Sequence, residues 1–255
     1  MSLKTILVHV TSDEQSCARL KVAAALSRKF HAFLDIVSIV AEGSERESQI
    51  EQDVRGICKE CSYSWKILEG NHVEHLAERS FFSDLAIISQ TRPTSITHQP
   101  AFDDPPLYLP EKLPLAAACP TLILPWNWSG ATPAHHILLA WRHNRETARA
   151  VHETLPILQA AERVTILTVA SSSEHPISDV DIAVFLDRHG VANHCLSEIS
   201  HEGDEDDVIL RTAREHECDA VIIGVQGSSR WRDLIMGNAT GALLEQTDIP
   251  IIMSH

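Results

Sequence analysis

The sequence predicts an α/β fold present twice, as two tandem domains, each a mostly parallel five-stranded sheet with helices on both faces. Three observations lead there. The first is an internal repeat: residues 4–28 line up with 135–159, so that Ile6-Leu7-Val8-His9-Val10 matches Ile137-Leu138-Leu139-Ala140-Trp141, each followed by a polar turn and an Ala/Leu-rich helical stretch. The second is that short β-branched runs alternate with longer segments of helical period, an order that gives parallel strands covered by crossover helices. The third is length, since 255 residues suit two domains of ordinary size.

The repeat continues along the chain. Asp84-Leu85-Ala86-Ile87-Ile88 parallels Asp219-Ala220-Val221-Ile222-Ile223, and Cys119-Pro120-Thr121-Leu122-Ile123-Leu124 parallels Ile249-Pro250-Ile251-Ile252-Met253. In the first half, the apolar alternation over 63–68 predicts a further strand. Turn formers interrupt the apolar pattern over 126–133 and mark the boundary, giving domains at 1–128 and 134–255. In the second half, strands are predicted at 136–141, 163–170, 191–199, 220–224 and 250–253. The segment 144–159 forms an amphipathic helix burying Ala148, Val151, Leu155 and Leu158, and Asp204 is placed to cap a helix over 205–217. In such folds ligands sit at the carboxyl ends of the strands.

Gly224 falls at one of those ends and opens the run Gly224-Val225-Gln226-Gly227-Ser228-Ser229-Arg230-Trp231-Arg232-Asp233-Leu234-Ile235-Met236-Gly237-Asn238-Ala239-Thr240. Glycines where a strand ends let backbone approach a ligand closely, and free N–H groups at a following helix start favour an anion. Neither Gly-x4-Gly-Lys-Ser/Thr nor a strand-borne Gly-x-Gly-x-x-Gly occurs, which argues against a P-loop NTPase and a dinucleotide site. The first half has no glycine between Gly70 and Gly130. Ser89 there stands opposite Gly224, and a long proline-rich loop over 90–110 carries Phe102, Leu107, Tyr108 and Leu109, read as a loop anchor or the lining of a different pocket.

The spacing Gly-x2-Gly-x9-Gly followed by a small polar residue resembles the nucleotide loop of the universal stress protein family, and through the repeat the resemblance to its tandem type covers nearly the whole chain. It implies two Rossmann-like domains of the adenine nucleotide alpha hydrolase kind, with ATP or another adenine nucleotide, with or without Mg, in the C-terminal one. Carried over residue by residue, Gly224, Gly227, Ser228, Arg230, Gly237, Asn238, Ala239 and Thr240 would surround the phosphates. The strand ends at Ala140, Trp141, Arg142, Val169 and Ala170 would border the nucleoside. The family's first strand typically ends in an Asp that meets the nucleoside, whereas this sequence has Arg142 in the second half and Thr11 in the first. A guanidinium there binds phosphate or fills the cleft. The resemblance also implies a pseudo-dimer of the two domains within one chain, joined through the apolar strands that end each half, with a homodimer as a further step; pairing two such edges removes exposed backbone groups.

Other constellations point elsewhere and carry less. Cys58-Lys59-Glu60-Cys61 followed by His72-Val73-Glu74-His75 approaches a zinc pattern, but a strand over 63–68 would hold the cysteines and histidines about 20 Å apart, far beyond the reach of ligands on one metal. The acidic run Glu202-Gly203-Asp204-Glu205-Asp206-Asp207 lacks EF-hand spacing and suits a helix start. No Gly-x-Ser-x-Gly elbow occurs, so no catalytic residues are assigned. A formal charge of −14 and a pI near 5.4 disfavour nucleic acid as a partner. Six scattered cysteines do not form a disulfide framework, and no signal-like or membrane-length apolar stretch is present, so the expected setting is the cytoplasm. The function expected is stress-response nucleotide binding. The alternatives are a nucleotide-independent interaction module with a vestigial loop and a weak ATP hydrolase.

Overall fold

In the computed structural model, residues 2–11, 15–39, 47–90, 108–129, 131–171, 180–200, 204–225, 244 and 247–255 are described. The chain divides into two compact units, Ser2–Thr132 and Pro133–His255.

The N-terminal unit runs β1 (Thr5–Val10), α1 (Ser16–Phe30), β2 (Phe33–Ile39), α2 (Glu47–Ile57), β3 (Tyr63–Leu68), α3 (His72–Ser80), β4 (Leu85–Ser89), α4 (Leu109–Ala116) and β5 (Thr121–Leu124). Its strands lie in the order β3-β2-β1-β4-β5, each described pair parallel. The central strands β1 and β4 are buried on both faces, as their continuous apolar runs require. The edge strand β3 is at best half-buried and carries Lys66 in its middle.

The C-terminal unit repeats the plan with β6 (His136–Trp141), α5 (Arg145–Ala160), β7 (Arg163–Ser171), α6 (Val180–Arg188), β8 (Asn193–Ser200), α7 (Glu205–Glu215), β9 (Ala220–Gly224) and β10 (Ile251–Ser254). The order is β10-β9-β6-β7-β8, again parallel throughout the described pairs. Because β6 leads rightward to β7 whereas β8 leads back to β9, right-handed crossovers place α5 and α7 on opposite faces. The sequence order therefore reverses between β6 and β9, and between β1 and β4 in the other unit, leaving a crevice at their carboxyl ends. Among the described residues no helix is long and apolar enough to cross a membrane.

Helix details depart from the sequence reading at three places. In α5 the buried face comprises Thr147, Ala150, Val151, Thr154, Leu155, Pro156, Ile157 and Leu158, while Ala148 is only half-buried. The helix is turned so that its small and β-branched residues, Thr147 and Ala150 included, lie innermost. Asp204 precedes α7 but makes no side-chain cap: at φ −110°, ψ 14° it leaves the extended conformation from which a capping carboxylate reaches back to the first turn. That helix also stops at Glu215, and Glu217 takes φ +53° beyond it. Within the loop over 90–110, Leu109 is fully buried at the start of α4, which suits an anchor, while Tyr108 stays 40% exposed with Lys112 over its ring. Phe102 and Leu107 lie outside the described residues.

One device occurs in both units. Asp219, just before β9, accepts hydrogen bonds from the backbone N–H groups of Ala134, His135 and His136 at 3.1, 3.0 and 2.9 Å, tying β9 to the start of β6. Its counterpart Asp84 accepts from Lys4 and Thr5 at 2.6 and 2.9 Å. The bonds are charge-assisted. The clasp also holds Ala134 at φ +75°, a left-handed conformation that costs an L-residue about 1–2 kcal/mol.

Beside it lies a group of titratable side chains. The buried His136 ring bonds Thr165 Oγ1 at 2.9 Å, and that hydroxyl reaches His194 Nε2 at 3.2 Å. The Arg163 guanidinium sits 2.8 Å from His136 Nδ1, Cys218 Sγ 3.5 Å from Nε2, and the His216 ring lies tilted to that of His194 with centroids 6.3 Å apart. Burial, then Arg163 and His194, lower the His136 pKa from 6.5, against the pull of Asp219; burial, Arg163 and His216 lower that of His194.

Removal of the clasp in Asp219→Ala is expected to lower unfolding free energy by about 2 kcal/mol in urea titration, the worth of hydrogen bonds to a charged acceptor, with a smaller loss for the more exposed Asp84→Ala. For the histidines, a depressed folded pKa means that the unfolded chain binds protons first as pH falls below 6.5, so their contribution to stability is intact above that value and is lost as pH drops toward the folded pKa. Thermal melts between pH 7.5 and 5 should show a steeper acid loss in the parent than in His136→Asn.

Candidate functional site

The crevice between β6 and β9 is built from close backbone contact. A Cβ added to Gly224 would lie 2.6 Å from Thr147 N and Cα and 2.7 Å from the Glu146 carbonyl carbon, so the end of β9 abuts the first turn of α5 with no room for a side chain. That turn is held open by Asn144, whose side chain accepts from Thr147 N at 2.8 Å. Beyond Gly224 the backbone stays in the sheet for one more bond, Val225 N to Ser254 O at 2.7 Å. On the opposite side, Glu153 of α5 accepts from Ser254 Oγ at 2.5 Å and from Arg149 Nε at 2.7 Å, fastening the helix to the end of β10. Glycine is required at 224 by helix packing, whether or not a ligand approaches.

Of the residues singled out from sequence, the described structure places six at the carboxyl ends of neighbouring strands. Ala140 and the buried Trp141 end β6, the half-buried Val169 and Ala170 lie near the end of β7, and Gly224 ends β9. Arg142 follows Trp141 directly. Its guanidinium pairs with the carboxylate of Glu205, in the first turn of α7. Next to Glu205, Asp206 has its carboxyl pushed up to about 6, chiefly by burial, with Arg142 pulling the other way and Asp207 adding to the rise. The sequence reading treated this acidic run as helix capping, yet Asp204 Oδ1 is buried without a hydrogen bond and Glu205 is spent on Arg142. No sequence signal joined Arg142 to Glu205, which lie 63 positions apart. Gly227, Ser228, Arg230, Gly237, Asn238, Ala239 and Thr240 lie outside the described residues.

The matching end of β1 is built differently. Thr11 stands where Arg142 does, and Ser16 and Arg19 stand where Thr147 and Ala150 do. Arg19 is fully buried; its Nε donates to His9 O at 2.7 Å and its Nη2 to Thr11 Oγ1 at 3.1 Å and Ser16 Oγ at 2.8 Å. Ser16 Oγ in turn accepts from Thr11 N at 2.9 Å. His9 is buried against His72, with Nε2 and Nδ1 3.1 Å apart. At the end of β4, Ser89 puts a buried side chain in the place of Gly224.

The pair of cysteines and pair of histidines considered for zinc do not converge. Cys58 is buried after α2, whereas on the far side of the intervening β3 His72 faces His9 and His75 Nε2 bonds Glu69 O at 2.8 Å. Among the described residues no three His, Cys, Asp or Glu side chains gather as a metal requires.

Substituting Gly224→Ala should drive β9 and α5 apart and cost about 1–3 kcal/mol in chemical denaturation, the range of an overpacked core. The same change at Gly190, which has open space for a Cβ but φ +74°, should cost only the backbone strain of about 1–2 kcal/mol.

Residues 133–255 match the model of the universal stress protein family. None of the curated proteins is similar enough in sequence to match the chain. Among solved structures, a universal stress protein from Archaeoglobus fulgidus DSM 4304 superposes with a TM-score of 0.70 at 13% identity, covering 98% of this chain and 95% of that one. A proposed universal stress protein from Pseudomonas aeruginosa UCBPP-PA14 does so with a TM-score of 0.70 at 17% identity, covering 99% and 93%. A functionally unknown protein from Pseudomonas aeruginosa PAO1 gives 0.68 at 16%, covering 99% and 92%. At these identities the superpositions speak for the fold, and the family match speaks for the C-terminal unit. Two parallel α/β units, a strand order that reverses at a glycine-ended crevice, and the match over 133–255 together make the C-terminal unit a domain of the universal stress protein family, on a fold that the N-terminal unit shares.

Proposed function

We propose that the C-terminal domain binds ATP or a related adenine nucleotide as a regulatory ligand of a stress response in the cytoplasm, and that the N-terminal domain binds none. The observation that carries this reading is the closure of Gly224 onto the first turn of α5 at the point where strand order reverses. A phosphate-binding loop that leaves the sheet after Val225 starts beside the N-terminus of α5, whose partial positive charge favours an anion. In this reading Gly227, Ser228, Arg230, Gly237, Asn238, Ala239 and Thr240 hold the phosphates, and Ala140, Trp141, Val169 and Ala170 border the nucleoside.

Arg142 is compatible with occupancy. Its partner Glu205 draws it toward α7, and an exposed pair of this kind is worth roughly 0–1 kcal/mol. A phosphate can therefore exchange for Glu205 at little cost. The N-terminal crevice has no such freedom: Arg19 is committed to His9, Thr11 and Ser16 in the interior, and Ser89 occupies the position where backbone would have to approach a ligand.

The test is mass spectrometry of small molecules released from the purified protein on denaturation, against Gly227→Val, a position chosen because Gly224 also serves helix packing. Adenine nucleotide from the parent and none from the variant supports the proposal. A parent that is empty and shows no calorimetric heat with millimolar ATP defeats it and leaves the interaction-module alternative. Phosphate release from ATP that is lost in Gly227→Val would convert the regulatory ligand into a substrate.

A further inference from the structure

The Cys58-Lys59-Glu60-Cys61 segment, which no metal explains, has the geometry of a redox pair. Cys58 ends the hydrogen-bonded run of α2 through its N–H to Val54 O at 2.9 Å, and the chain then folds back so that Cys61 N–H donates to Cys58 O, also at 2.9 Å. That bond closes a four-residue turn, which brings the first and fourth Cα atoms within about 7 Å. A disulfide needs about 4.4–6.8 Å. Both thiols are free. Their surroundings differ as an attacking and a resolving sulfur would require. Cys58 is wholly buried, whereas Cys61 is half-buried and points to the α1 surface, its Sγ 3.8 Å from Ala24 O and 4.0 Å from the Arg28 guanidinium. A partly exposed sulfur beside a cation is the setting in which thiols react. The two sulfurs share that neighbour: burial, then Cys61, pushes the Cys58 thiol up to about 12, and Arg28 acts on it in the opposite direction.

We propose that Cys58 and Cys61 form a reversible disulfide by exchange with a low-molecular-weight disulfide of the glutathione type. Cys61, having released its proton to solvent, attacks one sulfur of oxidised glutathione. The glutathione S–S bond breaks, one glutathione leaves as thiolate and is protonated, and a mixed disulfide remains on Cys61. Cys58 then gives up its proton to water and attacks the Cys61 sulfur, expelling the second glutathione. Two protein thiols are oxidised and one glutathione disulfide is reduced to two thiols. The bond formed staples the end of α2 to the chain entering β3, next to Ser62, whose carbonyl accepts from Leu34 N at 2.9 Å to begin the β2–β3 pairing.

The sequence supplies a clean readout, because trypsin cuts after Lys59, inside the proposed ring. The full chain is equilibrated with reduced and oxidised glutathione, its free thiols are blocked with iodoacetamide, and it is digested. The expected product is peptide 56–59 linked to 60–66, lost on treatment with dithiothreitol and lost in Cys61→Ser. In Cys58→Ser, glutathione should instead accumulate on Cys61, from trace to the main species, because nothing resolves it. Two separately alkylated peptides in the oxidised parent would overturn the proposal, as would either cysteine linked to Cys17, Cys119, Cys195 or Cys218. Zinc bound one to one by the purified parent and absent from Cys61→Ser would also overturn it, since the thiols would then be metal ligands.

Discussion

The carboxylate of Asp219 sets the register on which the C-terminal crevice depends. By gathering three successive N–H groups at the start of β6, it fixes β6 against β9 at one end of the sheet, so Trp141 and Gly224 arrive together at the other. A slip of one residue between the two parallel strands would exchange the two buried faces of β9 and carry Gly224 away from α5. Asp84 does the same for β1 and β4. The clasp lies at the end of the sheet opposite the candidate site, which separates the residues that hold the frame from those free to change at the ligand end.

The two units use that freedom differently. At the end of β6 the chain has a surface arginine, an acidic helix start and a bare glycine. At the end of β1 it has a threonine and a serine drawn around a buried arginine. A buried guanidinium is costly unless its donors are taken up, and here the His9 carbonyl takes Nε while the Thr11 and Ser16 hydroxyls take Nη2. The interior of α1 is polar at its amino end for this reason, whereas α5 presents Thr147 and Ala150 there and lets β9 come into contact. One duplicated frame thus carries one crevice built for close approach and one filled from within.

How much of this was legible in the sequence follows from the range of each interaction. The strands His136–Trp141, Ala220–Gly224 and Tyr63–Leu68 coincide with their predicted limits because apolar runs bounded by turn formers are local signals. The repeat exposed the shared topology without any structure. The role of Gly224 was read as ligand approach alone; its contact with α5 depends on a helix some 80 positions earlier. Arg142 and Glu205, and Arg19 and His9, likewise meet through tertiary placement, and Arg19 looks from sequence like any helix surface residue. Asp204 has the right residue type and position for a cap, but capping is decided by backbone angles that the composition of the segment does not reveal.

Strands β3 and β8 each end the strand order of their own unit, and their backbone edges bear on association with other chains. A strand at the edge of a parallel sheet offers a row of unpaired backbone groups to any other chain that presents one. In β3 the row is interrupted by the charge of Lys66, and in β8 half-buried and exposed positions alternate, with Glu198 held near Arg211 at 3.8 Å. Adding a neighbouring chain to either edge would require those charges to shed water against an incoming strand. Charge on both edges therefore disfavours the growth of either sheet by strands from other chains, the step through which folded β-sheets are drawn into aggregates.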